Sequence, residues 1–150
     1  MTSTKVSRII KATRKVIYRA LTDPQALTQW RVPDDMTGTM HEFDARPGGA
    51  YRMSLTYADS ARRGKTAAAT DTFQGRFAEL IPNLRVVELI DFESDDKGFT
   101  GTMRLTTSLA DTADGTEVTM LHEGLPAGVR PEDNELGTRM SLAKLARLVE

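Results

Sequence analysis

The spacing of apolar residues changes several times along the chain, and each change marks a different kind of element. Residues 6–11 form a short β-like run around Ile9 and Ile10. Between Thr13 and Thr22, Val16, Ile17, Ala20 and Leu21 recur at helical spacing, which predicts a helix with Thr13 as its N-cap. Asp23-Pro24 then restarts a helix: the Asp carboxylate can cap free N–H groups, and Pro at the first helical position has its φ already set. This second helix carries Ala26, Leu27 and Trp30 inward and stops near Pro33.

From residue 37 the period falls to two. Thr39, His41, Phe43 and Ala45 share one face of a predicted strand, and Arg46-Pro47-Gly48-Gly49 is turn chemistry. Tyr51, Met53, Leu55 and Tyr57 alternate with Arg52, Ser54 and Thr56, which completes a hairpin. Residues 58–69, with Arg62-Arg63-Gly64-Lys65, read as a solvated loop. Four more strands follow at about 70–81, 84–93, 100–109 and 116–123. The turns between them, Pro82-Asn83, Asp95 to Gly98 and Asp111 to Gly115, are short enough for an antiparallel meander.

The last segment, Pro131 to Val149, predicts a long helix with Glu132 and Asp133 in its first turn and Arg147 in its last, as the helix dipole prefers. Leu136, Met140 and Ala143 fall on one side, and Leu142, Leu145, Ala146 and Val149 on an adjoining one. Together they predict a broad buried arc with Gly137, Ser141 and Lys144 as a narrow polar strip. The expected fold is α+β, one domain over residues 1–150. It is a helix-grip: a curved seven-stranded antiparallel sheet around the long C-terminal helix, with two short helices after the first strand. Strong curvature leaves a gap between sheet and helix, and that gap is the expected cavity.

Composition narrows the function more than the fold. At 150 residues the chain suits one domain that buries roughly 68–70% of its unfolded surface. A net charge of −1 gives no global field to attract nucleic acid or an anionic membrane. The Arg62–Lys65 cluster is short and lacks interleaved aromatics. There is no cysteine, which removes disulfides, thiolate zinc sites and a cysteine nucleophile. With no signal-like N-terminus and no apolar run near ~20 residues, a cytoplasmic protein without a membrane span is expected. Neither a phosphate-binding glycine loop nor a Gly-x-Ser-x-Gly elbow is present. No cofactor and no metal are expected, since the histidines lack ligand spacing.

The candidate chemistry is sparse. His41 shares a predicted face with Phe43, and His122 shares one with Val118 and Met120. Two imidazoles facing a cavity could polarise a carbonyl or shuttle a proton; the plainer reading is two hydrogen-bonded structural histidines. Arg139 sits within the apolar arc of the last helix, either as an anchor for an anionic group or as a stem covering apolar surface. Trp30, Phe43, Tyr51, Met53, Leu55, Phe73, Phe77, Met103, Leu105, Met120, His122 and Met140 are the expected lining, about half of them at the cavity itself. Seven methionines suit a deformable pocket. Asp23 is read as a helix cap, and Asp44 with Arg46 as partners in the turn.

Several segments also resemble a known family. Arg19-Ala20-Leu21-Thr22-Asp23-Pro24-Gln25-Ala26-Leu27-Thr28-Gln29-Trp30 is similar to the ALTDP-x-x-L-x-x-W segment of the START-like (SRPBCC) superfamily, in the AHSA1-like branch named for the activator of the heat-shock chaperone ATPase. Phe43 to Tyr51, Phe73 to Pro82, His122 to Pro126, Pro131 to Asn134 and Ser141 to Ala146 continue the resemblance in order. It implies the helix-grip fold and a pocket between sheet and long helix. The chain departs from the pattern where Arg31-Val32-Pro33 follows Trp30 instead of further tryptophan, and where Gly137-Thr138 replaces Gly-Trp. Both departures imply a larger or differently shaped cavity. Three functions are carried forward: binding of a small hydrophobic or amphipathic ligand, a polyketide cyclase- or hydrolase-type enzyme in the same cavity, and a chaperone-ATPase co-regulator. The last ranks lowest, because the family's namesake carries an additional chaperone-binding domain. A homodimer through an edge strand near residues 37–45 is also open.

Overall fold

The computed structural model describes residues 2–57, 70–94 and 97–150. The predicted loop around Arg62-Arg63-Gly64-Lys65 lies outside the described residues, as do Asp95 and Asp96. Strand β1 (Ser3–Ile10) leads into helices α1 (Arg14–Leu21) and α2 (Pro24–Trp30). The strands β2 (Met36–Phe43), β3 (Ala50–Tyr57), β4 (Thr70–Ile81), β5 (Arg85–Phe92), β6 (Met103–Thr112) and β7 (Gly115–Glu123) follow, with a 3-10 turn at Lys97–Phe99. Helix α3 (Pro131–Val149) ends the order. The seven strands form one curved antiparallel sheet in the order β1-β7-β6-β5-β4-β3-β2, the helix-grip arrangement expected from the sequence. Strands β1 and β2 are its two edges.

Local chemistry accounts for the helix starts. The Thr13 hydroxyl accepts from the Val16 N–H at 3.3 Å, and the Asp23 carboxylate accepts from the Gln25 N–H at 2.9 Å with Pro24 next to it. Asp44 pairs with Arg46 at 2.8 Å in the turn between β2 and β3. Trp30 is buried, and its indole N–H donates to the Ala20 carbonyl at 2.9 Å, which fastens α2 to the end of α1.

The packing between sheet and helix differs from the sequence expectation at two places. The register between β2 and β3 shifts between Met40 and Glu42, so His41 is the extra residue of a bulge. The bulge places Met40 and Phe43 against the core and turns His41 outward, instead of keeping His41 and Phe43 on one face. The second difference is the rotation of α3. Leu142, Leu145 and Ala146 are buried, as are Thr138 and Ser141. Leu136, expected in the buried arc, is 55% exposed, and Met140 is only half-buried. The two apolar sides read from the sequence span more of the helix than one sheet can cover, and only one of them is used.

Gly75 allows the most consequential packing contact. It lies opposite Tyr51 in the β3–β4 ladder, and a Cβ there would overlap the Tyr51 ring. The ring therefore lies across β4, where it packs between Phe73 and Phe77 at centroid distances of 6.1 and 5.5 Å. Gly75→Ala must push this ring aside and is expected to cost about 1–3 kcal/mol in urea unfolding. An unchanged unfolding midpoint would show that the ring is free to move.

Candidate functional site

The Tyr51 ring crosses β4 to reach a charged group. Its hydroxyl donates to Glu88 Oε1 on β5 at 2.6 Å. Arg31, the residue after α2, donates to the same oxygen through Nη1 at 2.8 Å and lies 3.4 Å from the Tyr51 hydroxyl through Nη2. Glu88 is 3% exposed and its pair with Arg31 is almost wholly out of water, which makes both groups depend on each other. Burial of the Tyr51 hydroxyl, together with the Glu88 charge, pushes its ionisation well above the ordinary tyrosine range.

Beside this cluster is a cavity of about 220 Å³ between the sheet and α3. Leu55, Phe73, Ile90, Phe92, Met103 and Met120 form its apolar floor. The α3 side of the wall consists of Asn134, Gly137, Thr138 and Ser141, with Asp133 alongside. Arg31, Asp71 and His122 complete the polar lining. Gly137 and Ser141, two of the three residues in the polar strip read from the sequence, thus cover the cavity. The arrangement has a steric cause: long side chains at 134, 137, 138 and 141 would fill the gap. Asn134 is held by the Thr4 hydroxyl of β1, and Lys144 Nζ donates to the Val32 carbonyl, so both halves of α3 are tied over the opening.

His122 holds the one polar side-chain atom among the described residues that is both sealed off and unbonded. It is 7% exposed, and its Nδ1 has no hydrogen-bond partner there. Burial first, and the Arg31 charge second, lower its pKa to about 4 from 6.5. At neutral pH it is therefore an uncharged imidazole in the cavity wall.

The structure brings together Leu55, Phe73, Met103, Met120 and His122 from the expected lining. It places Trp30, Tyr51, Met53, Phe77 and Leu105 in the packed core, with Phe43 packed partly buried against it and Met140 half-buried on α3. His41 is a correction: the bulge sends it to the outer face, where Nε2 bonds the Ser54 hydroxyl at 2.8 Å. Arg139 is a second correction: its side chain is 61% exposed and lies 3.7 Å from Glu135 on its own helix, since it projects from the face of α3 away from the cavity. Arg31, Glu88, Asp71 and Asn134 were not foreseen. The sign that marked Arg31 was its place after Trp30, where the family pattern expects another aromatic. Among the described residues, no group of three or more His, Asp or Glu side chains could hold a metal ion. No described helix is long and apolar enough to cross a membrane.

The family model described as Activator of Hsp90 ATPase homolog 1-like protein matches residues 11–150. The chain belongs to this AHSA1-like family. Its solved relatives agree in shape. Protein CV1439 from Chromobacterium violaceum is 35% identical, with a TM-score of 0.89 over 99% of this chain and 96% of that one. The AHSA1-like protein from Aeromonas hydrophila is 18% identical, with a TM-score of 0.72 over 97% and 90%. DynU16, from the dynemicin biosynthetic locus, is 19% identical, with a TM-score of 0.67 over 97% of this chain and 46% of that one. No curated protein matches the chain in sequence.

Two outcomes follow for this AHSA1-like site. Glu88→Leu strands the Arg31 guanidinium and is expected to cost about 3–5 kcal/mol; adding Arg31→Met should recover at least half, read by denaturant unfolding of the single and double variants. His122 binds a proton less readily folded than unfolded between pH 6.5 and 4. Its contribution is therefore full above pH 6.5 and shrinks as pH falls towards 4, by up to about 3 kcal/mol. His122→Leu should flatten the stability profile over that window. An unaltered slope would contradict a buried neutral imidazole.

Proposed function

We propose that this protein binds a small hydrophobic or amphipathic molecule in the cavity between the sheet and α3. The observation that carries this reading is a built pocket with mixed chemistry. An apolar floor of Phe73, Phe92, Met103 and Met120 meets the polar groups of Arg31 and His122. Pockets for small ligands have this composition: mostly apolar, with a few convergent polar groups. At about 220 Å³ the cavity exceeds the ~150 Å³ space known to take up benzene in an engineered core. It suits a molecule of one or two rings or a short acyl chain.

A second reading places a cyclase- or hydrolase-type reaction in the same cavity. His122, uncharged and beside Arg31, is the candidate proton acceptor, and the shared fold of DynU16 is compatible with it. Under this reading His122→Gln abolishes turnover while binding survives. The co-regulator reading draws on the family description alone.

Gly137 supplies the test of binding. A Cβ built there meets open space, so a longer side chain projects into the cavity without clashing with the helix's surroundings. Gly137→Leu also replaces a poor helix former and should leave the fold intact or firmer. Native mass spectrometry of the wild-type protein, as purified and after exposure to apolar fragments, should show bound mass that disappears on denaturation. Gly137→Leu should lose it. A bare wild-type mass in every case, or full uptake by the variant, would contradict the proposal.

A further inference from the structure

A serine in the middle of α3 shows how the cavity distinguishes one guest from another, on the reading that the cavity is a ligand site. We infer that Ser141 is a specificity-determining residue of that site. Its hydroxyl bonds a polar atom of the guest, so the cavity selects a molecule that presents a hydrogen-bonding group to α3 over a plain hydrocarbon.

A serine or threonine on a helix commonly bonds the carbonyl four residues back or points to solvent. Two threonines of this chain do the first: Thr22 donates to the Tyr18 carbonyl at 3.0 Å, and Thr138 to the Asn134 carbonyl at 2.7 Å. Ser141 does neither. It is 7% exposed, it lines the cavity, and its hydroxyl bonds no described residue. Its oxygen is not sealed off, since His122 Nδ1 is the one side-chain atom among the described residues that is both closed in and unbonded. On a buried residue in the cavity wall, the surface this oxygen keeps faces the cavity. A buried hydroxyl without a partner is costly, so whatever occupies the cavity has to supply one.

Small size alone does not account for serine at this position. Alanine would leave the same gap, favour the helix more and bury no hydroxyl. What serine adds is one donor and an acceptor in the wall. Its neighbours on α3 are differently placed. The Thr138 hydroxyl is committed to the Asn134 carbonyl, and Asn134 is half-buried with its side-chain oxygen held by the Thr4 hydroxyl. Gly137, one turn before Ser141, has no side chain to cover the hydroxyl. The floor of Phe73, Met103 and Met120 receives the apolar remainder of the guest.

Two probes of one shape test this: indane and 2-indanone, which differ by a single carbonyl oxygen. Amide-shift NMR titration gives the affinity of each for the wild-type protein and for Ser141→Ala. The variant should fold with an unfolding midpoint equal to or above that of the wild type, because it removes an unbonded hydroxyl. It should bind indane at least as tightly as the wild type and 2-indanone about two- to tenfold more weakly, the loss of one hydrogen bond. An undiminished affinity for 2-indanone, an equal loss for both probes, or wild-type binding of indane alone would each overturn the inference while leaving the cavity a ligand site. Failure of both probes to bind the wild type would overturn the ligand-site reading as well.

Discussion

A carboxylate on the concave face of a sheet, under a helix layer, must find its partners inside the protein. Glu88 finds two, Tyr51 across Gly75 and Arg31 from the end of α2. The requirement acts on three separate parts of the chain. It fixes a glycine in β4, where any side chain would block the ring. It turns the first residue beyond α2 inward, although Arg is ordinarily a surface residue. It also brings a positive charge beside His122, which helps to keep that imidazole neutral. A hydrophobic replacement of the whole cluster could give a stabler core, since buried ion pairs seldom outweigh their desolvation. The cluster provides polarity at a defined point on the cavity wall.

The cavity itself depends on what α3 lacks. A helix that packed its Leu136–Met140 side on the sheet would close the gap. Instead it presents Gly137, Thr138 and Ser141 there and packs through Leu142, Leu145 and Ala146 further along. Thr4 and Val32 hold its two halves through Asn134 and Lys144, so the span above the cavity does not rely on apolar contact alone. An opening roofed by small polar residues and floored by aromatics and methionines can admit a guest without rebuilding the core.

Much of the fold was legible in the sequence because its signals are local. Thr13, Asp23-Pro24 and the turn residues before β3 and between the later strands mark element boundaries by their own backbone chemistry. Strict alternation in β3 showed which residues face inward. The site was less legible because its determinants are not local. The bulge at His41 inverts the faces of β2 by one inserted residue, and no residue type announces it. The orientation of α3 was ambiguous because two adjoining sides of the helix are both apolar, and the choice between them is made by packing against the sheet. Arg31 and Glu88 are 57 positions apart. Each alone reads as a surface charge, and their burial follows only from the topology that joins them.

The methionine methyl groups give the most direct test of the central claim, that the gap beneath α3 is where a guest binds. Met103 and Met120 line it, while Met36 and Met53 are buried in the packed core and Met40 is half-buried against it. With ¹³C-methyl-labelled methionine and a saturating neutral aromatic ligand, the Met103 and Met120 signals should shift strongly and the other three only slightly. Shifts centred on Met36, Met40 or Met53, or no shifts at all, would contradict the account.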